Sequence, residues 1–318
     1  MTTAAAASGV AQASAPPAPS APASGARTRK TGSVSWMVLP AVLFFTVFGA
    51  LPLVGVLVLS FAEWDGISPT ITLAGLANWS LVLTDPVMWE ALGLTFWIMA
   101  LSWLFQTPVS LLLGTFLAGP QRYRNFLAVL YFLPLLLSAA ASSIAFKALL
   151  DPNFGLATSL GLPILAQNWL GEPRLAVAVV VFVISWMYIP LHTLIYQGGI
   201  RQIPKSLYEA ASIDGAGRVK QFFSITLPQL KYTVITSSTL MVVGSLTTFD
   251  LIFVLTGGGP GDATRVLALD MYLRGFRANA MGPASAIAVI LVFVALGMAL
   301  LLQRLGGKDK GASQLEGL

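Results

Sequence analysis

Glu209-Ala210-Ala211-Ser212-Ile213-Asp214-Gly215-Ala216, continuing to Phe222, Ile225 and Leu227-Pro228, is a short polar island between two stretches too apolar to face water. Pro204 and Ser206 mark a helix start just before it, and Leu207, Ala210 and Ala211 then share one face at three- and four-residue spacing. Gly215 and Gly217 interrupt the run, Val219, Phe222 and Phe223 form a second apolar face, and Pro228 ends it. The spacing predicts two short amphipathic helices joined by a glycine turn. Such a unit cannot bury both faces by itself. An interfacial helix on lipid headgroups has this outline, as do a DNA-binding helix-turn-helix and a knob that docks a cytosolic protein. The small Ala210-Ala211 pair, which lets another backbone approach closely, favours the knob; a position between apolar stretches disfavours DNA.

Those flanking stretches define the class. Hydrophobic residues fill 56% of the 318 positions and charged residues 10%, with mean hydropathy +0.79, whereas a soluble domain carries about 25% charged residues. The intervals from Lys30 to Glu63, Glu90 to Arg122, Arg124 to Lys147, Arg174 to Arg201 and Arg277 to Arg304 are free of charge. Each is longer than the ~20 residues a helix needs to cross hydrocarbon. A sixth interval contains Asp250, whose ionised side chain costs ~3 kcal/mol at a bilayer centre. Barrel strands alternate between polar and apolar, and these runs do not.

The expected fold is therefore an all-α integral membrane protein with six transmembrane helices, near 36–61, 91–118, 126–149, 175–198, 234–256 and 283–304, within a membrane domain at 31–306. Residues 1–30, mostly Ala, Pro, Ser and Thr, read as a disordered cytoplasmic tail, and 307–318 as a second one. The first apolar run exceeds the roughly 7–15 residues of a signal-peptide core and reads as a retained anchor. Absence of cysteine excludes disulfides, iron–sulfur clusters and thiolate metal sites.

Charge placement predicts orientation. Of the 18 Lys and Arg residues, Arg27, Arg29, Lys30, Arg122, Arg124, Arg201, Lys205, Arg218, Lys220, Lys231, Arg304, Lys308 and Lys310 fall on one side of the expected spans. Positive residues stay cytoplasmic, so both termini and the loop at 199–231 are expected inside. The net charge of +5 sits at membrane edges rather than on one face, which suits anchoring to the bilayer and not nucleic acid.

The island resembles the EAA loop of binding-protein-dependent ABC importer permeases: Glu209-Ala210-Ala211, three residues, Gly215, then Ile225 and Leu227-Pro228, with the fuller form supplied by Asp214, Ala216 and Phe222. Gln202-Ile203-Pro204, Leu207-Tyr208, the run Leu255-Thr256-Gly257-Gly258-Gly259-Pro260-Gly261 and Ser60-Phe61 followed by Trp64 resemble the carbohydrate-uptake branch, in its first-permease type, similar to maltose and glycerol-phosphate permeases. The resemblance covers roughly 36–304. It departs from many relatives at Lys231-Tyr232, where a second proline is common, and this leaves open how the fifth helix begins.

The resemblance implies a plasma-membrane permease subunit that moves a sugar or oligosaccharide inward. Its partners would be a second permease, two ABC ATPase subunits and an extracellular solute-binding protein. Glu209, Ala210, Ala211, Asp214, Gly215, Ala216, Phe222, Leu227 and Pro228 would couple this chain to the ATPases. The run at 257–261 lacks the Lys-Ser/Thr of a phosphate loop, and no such loop occurs elsewhere. The chain is thus expected to be no enzyme and to bind no cofactor, with ATP and Mg on the partner subunits.

Asp250, an ionisable residue within an expected span, is a candidate for a polar substrate path with Thr247 and Thr248, or else pairs with an Arg or a backbone amide at a wet helix end. Trp186, Tyr188 and Gln197 combine aromatic faces with polar groups that suit sugar rings, and aromatics in helices also simply pack. His192, the single histidine, reads as a packed, hydrogen-bonded side chain. Pro108, Pro134 and Pro190 should kink their helices. An ion-coupled secondary transporter of a small polar solute is the alternative, although only Asp250 and His192 could serve it. An intramembrane enzyme would need convergent acids or a nucleophile with its base, and the sequence holds no such constellation.

Overall fold

The computed structural model describes residues 35–119, 122–162 and 167–306, and the chain divides into two units between Ala50 and Leu51. The expected tails at 1–30 and 307–318 lie outside the described residues. In the first unit α1 (Ser35–Phe45) passes into a π-helical turn at Thr46–Ala50, where the rings of Phe44 and Phe48 meet at 4.7 Å.

The second unit opens with α2 (Leu51–Leu59), the paired two-residue strands β1 (Ala62–Glu63) and β2 (Thr72–Leu73), and α3 (Ala77–Thr84). Asp65 ties the loop between the strands, accepting from the amides of Ile67 and Ser68 at 2.9 and 2.7 Å. Those two amides, with the Ser68 hydroxyl, hold its carboxyl below the ordinary value. Asn78 on α3 donates to the carbonyls of Ser60 and Ala62 at 3.1 and 2.8 Å and so pins α3 to the end of α2.

The longest helix, α4 (Pro86–Leu117), starts where it does for local reasons. The Asp85 side chain accepts from the Val87 amide at 2.9 Å, and Pro86 occupies a first-turn position whose N–H would lack a helical partner anyway. Next come α5 (Arg122–Leu136) and α6 (Ala139–Leu149). Between them Ser138 caps α6 by accepting from the Ala141 amide at 3.1 Å, and the chain turns through 97°. After α7 (Leu156–Ser159), α8 (Pro173–Arg201) runs alongside α4 in the same direction, again with proline in its first turn.

Contact between α4 and α8 depends on Gly114. A Cβ there would lie 3.0 Å from Tyr196 Cβ and 3.2 Å from the Gln197 nitrogen and the Thr193 oxygen, so any larger residue forces the helices apart. Lipid is as apolar as leucine, so burying apolar groups does little to join helices in a bilayer. Close backbone approach and interhelical hydrogen bonds do more, the latter contributing ~0.6 kcal/mol each on average.

This bundle has several such bonds. The Leu267 amide donates to Thr95 Oγ1 at 2.9 Å, Trp103 Nε1 to Ser238 Oγ at 2.9 Å, and Ser143 Oγ to the Leu251 carbonyl at 3.0 Å. The apolar filling around them is Ile98, Val180, Val183, Ile184, Leu251, Ile252 and Leu255, all at most 2% exposed.

The chain then forms α9 (Lys205–Ile213), α10 (Arg218–Gln221), a π-helical turn at Phe222–Thr226, α11 (Leu227–Gln229) and α12 (Lys231–Leu246). Lys231 opens α12, which answers how the fifth expected helix begins, and the Val234 amide reaches back to the Leu230 carbonyl at 2.8 Å. Beyond α12 lie α13 (Asp250–Leu255), α14 (Leu267–Tyr272), a π-helical turn at Leu273–Arg277 and α15 (Met281–Gly306).

Among the described residues four helical stretches are long and apolar enough to cross a membrane: Val38–Leu59, Pro86–Leu117, Pro173–Arg201 and Met281–Gly306. The bent pair Phe126–Leu136 and Ala139–Leu149 makes a fifth if counted as one span. These correspond to five of the six expected intervals. The helix expected over 234–256 is instead divided, because 247–249 leave helical geometry between α12 and α13. Thr247 and Thr248 account for part of the break, since their hydroxyls bond the Gly244 carbonyl at 3.2 and 2.8 Å.

Candidate functional site

At one end of the bundle the polar island folds as two short helical arms about Gly215. Gly215 has φ +75°, a left-handed conformation that side chains resist, and among the described residues beyond its chain neighbours no atom lies within 4 Å of where its Cβ would be. The Ala216 amide closes the turn on the Ala211 carbonyl at 2.8 Å. Gln221 then joins the arms, donating through Nε2 to the Ala216 carbonyl at 2.9 Å and the Ser212 hydroxyl at 3.0 Å. Nearer the bundle the Tyr208 and Thr226 hydroxyls are 2.9 Å apart.

One side of this hairpin is anchored. Tyr208, Ile225 and Leu227 pack on Leu111 of α4, Tyr196 of α8, Ile203 and Leu230, so the hairpin touches the ends of both long helices and the start of α12. The other side is open. Ile213 is 87% exposed, Val219 72% and Phe223 62%. Of the expected coupling residues, Glu209, Ala210, Asp214, Gly215 and Pro228 are exposed, while Ala211, Ala216, Phe222 and Leu227 are half-buried between the two sides.

A second feature lies deeper, beside the break. A cavity of about 300 Å³ is lined by residues that include Gln106 of α4, Tyr188 and His192 of α8, and Thr247, Thr248 and Asp250 at the break. The structure thus brings together four of the six candidate path residues. Asp250 is exposed and opens the first turn of α13, where a carboxylate suits the helix dipole. Among the described residues it makes no ion pair.

The other two candidates are elsewhere. Trp186 lines a separate groove with Phe105, Tyr131 and Phe182, and its ring meets Phe146 edge-on at 5.0 Å. Gln197 is committed to the Leu117 carbonyl at 2.9 Å and helps hold α8 to α4. His192 is buried with Nδ1 2.9 Å from Ser237 Oγ, the hydrogen-bonded state expected of it. Gln106 escaped sequence reading because nothing in an apolar run distinguishes a glutamine that faces a cavity from one that faces a neighbouring helix.

At the opposite end from the hairpin, five charged residues form a chain that sequence reading also missed. Arg265 donates to Asp262 at 3.2 Å and Asp270 at 2.7 Å, and Arg274 donates to Asp270 at 2.9 Å and Asp85 at 2.6 Å. Asp270 is fully buried, with both carboxylate oxygens engaged by guanidinium groups. Burial opposes ionisation of Asp85, but bonds from Arg274 and the Val87 amide, with the nearby positive charge, outweigh it and keep its pKa below the ordinary value.

Comparison with known proteins places these features in context. The family described as "Binding-protein-dependent transport system inner membrane component" matches residues 110–307. The probable ABC transporter permease protein YurN of Bacillus subtilis is 33% identical over 274 residues, spanning 84% of this chain and 94% of that protein. The arabinooligosaccharides transport system permease protein AraP of the same organism is 33% identical over 282 residues, 86% and 88% of the two chains. The multiple sugar-binding transport system permease protein MsmF of Streptococcus mutans is 30% identical over 272 residues, 85% and 92%. A chain of a bacterial ABC transporter that imports the acidic polysaccharide alginate shares the fold, with TM-score 0.75 at 22% identity over 87% of this chain and 96% of that one.

Proposed function

This chain belongs to the binding-protein-dependent transport system inner membrane components, and from that membership we propose that it is the permease subunit of an ATP-driven saccharide importer. The names of its relatives AraP and MsmF support the substrate class. The working complex holds a second permease, two ABC ATPase subunits that carry ATP and Mg, and an extracellular solute-binding protein. This chain binds no nucleotide and catalyses no reaction.

Six crossings follow when α5 with α6 and α12 with α13 each count as one broken span. Both termini and the hairpin at 199–231 then face the cytoplasm, as the positive residues require.

The observation that carries the mechanism is the two-sided hairpin. Its inner side is packed on α4, α8 and α12, while its outer side presents Glu209, Asp214, Ile213, Val219 and Phe223 to a partner. Closure of the ATPases on ATP pushes this hairpin, and the push reaches the long helices through Tyr208, Ile225 and Leu227. The contact must differ in strength between inward- and outward-open states, because a contact equal in both shifts no equilibrium. Sugar passes through the cavity at the break, whose lining includes the polar groups of Asp250, Thr247, Thr248 and Tyr188.

The test pairs Glu209→Ala with Gly215→Leu in the assembled transporter. Membrane insertion should persist while sugar-stimulated ATPase activity and uptake are lost or uncoupled. Normal transport by both variants would refute the lever.

A further inference from the structure

We propose that the cavity at the 247–249 break selects uncharged polyhydroxyl solutes over anionic ones, with Asp250 as the charge filter and Gln106 as the group that holds a solute hydroxyl. The proposal rests on the saccharide reading above and narrows it.

Charge is the first argument. Among the described residues Asp250 is the single charged side chain in the cavity wall, and no lysine or arginine lines it. Outside that wall, Arg265 and Arg274 are committed to Asp262, Asp270 and Asp85. A phosphate or carboxylate entering this space meets a like charge at its wall, and the two repel. The alginate importer that shares this fold is described as moving an acidic polysaccharide, so the scaffold alone does not set the sign.

Hydrogen bonding is the second, independent argument. Gln106 is 2% exposed, lines the cavity, and makes no side-chain hydrogen bond among the described residues. An amide with no protein partner that faces a cavity bonds whatever fills it, water or a ligand hydroxyl. An amide both donates and accepts. A hydroxyl does the same, so a polyol or sugar matches it, whereas a carboxylate only accepts. His192 lines the same cavity, with its Nδ1 held by Ser237.

The experiment uses the complete importer in proteoliposomes and measures competition between a neutral saccharide and the uronic acid of the same ring. The wild type should favour the neutral sugar by about tenfold or more, and Asp250→Asn should raise acid uptake relative to neutral by about tenfold. Because the binding protein is the same in both preparations, a change in this ratio belongs to the permease. Gln106→Leu should reduce neutral uptake about tenfold, and Gln106→Asn should retain part of it. Equal uptake of both sugars by the wild type, or an unchanged ratio in Asp250→Asn, overturns the charge filter and leaves the saccharide reading intact. A wild type that moves neither sugar but takes up another solute with ATP overturns both.

Discussion

Arg274 Nη2 lies 2.6 Å from Asp85 Oδ2, which latches the π-helical turn before α15 to the residue that caps α4, 189 positions earlier in the chain. Asp85 therefore starts one helix and restrains another. Removing the guanidinium would leave fully buried Asp270 with one cationic partner instead of two. Arg274→Ala is expected to destabilise the protein by about 3 kcal/mol, because a buried carboxylate that loses one of its two cationic partners is left only partly compensated. Arg274→Lys should cost less, since it keeps the charge but loses the forked geometry. Thermal unfolding in detergent, compared across the two variants, measures the difference.

Acid should release this latch only late. The Asp85 pKa is lowered in the folded chain, so its stabilisation is fully present above the ordinary value of 3.8 and disappears as pH falls through the lower folded value. Unfolding midpoints followed from pH 7 downward should show no Asp85-dependent loss until below 3.8. An Asp85→Asn variant should lack that component at every pH.

Gly114 sets how closely α4 and α8 approach. Gly114→Leu must displace Tyr196 or the α8 backbone, at about 2 kcal/mol or more, and Gly114→Ala should cost less. Cysteine pairs introduced on the facing surfaces of α4 and α8 would report the wider separation by slower crosslinking.

The two glycines of the hairpin should respond differently. Gly215→Ala is expected to cost about 1 kcal/mol, since φ is +75° while the surrounding space is empty. Gly217 has φ −69° and equal space, so Gly217→Ala should be nearly neutral. Limited proteolysis between 205 and 229 reads the difference.

Gln221→Leu removes the bonds that join the two arms, and Tyr208→Phe removes the one to Thr226. Each should loosen the hairpin by about 1 kcal/mol. Hydrogen exchange of the 211–216 amides should quicken in Gln221→Leu, while the long helices stay protected. Unchanged exchange would show that packing alone fixes the arms.

Much of this architecture is written in the one-dimensional pattern. Charge-free runs located the long helices because lipid forbids unpaired charge, and glycine and proline marked the hairpin because they alone break a helical run cleanly. The break at 247–249 was less legible. Its signal was Asp250 in an apolar stretch, which composition reads as a costly residue within one span and which the structure resolves as the start of a second helix. Facing is harder still. Tyr188 and Trp186 are two positions apart on α8 and point to different spaces, one to the cavity and one to a groove beside Phe105. The Asp85–Arg274 latch had no signal at all, because partners so distant in sequence meet only once the fold exists.

The interruption after Leu246 has one more effect. Where α12 stops, the carbonyls of Val243 and Gly244 are taken up by the Thr247 and Thr248 hydroxyls, so the helix end is closed off within a few residues of itself. Gln106 on α4 and Asp250 on α13 take no part in that closure. A lineage could retune which solute passes by exchanging either one, so specificity can drift without the bundle being rebuilt.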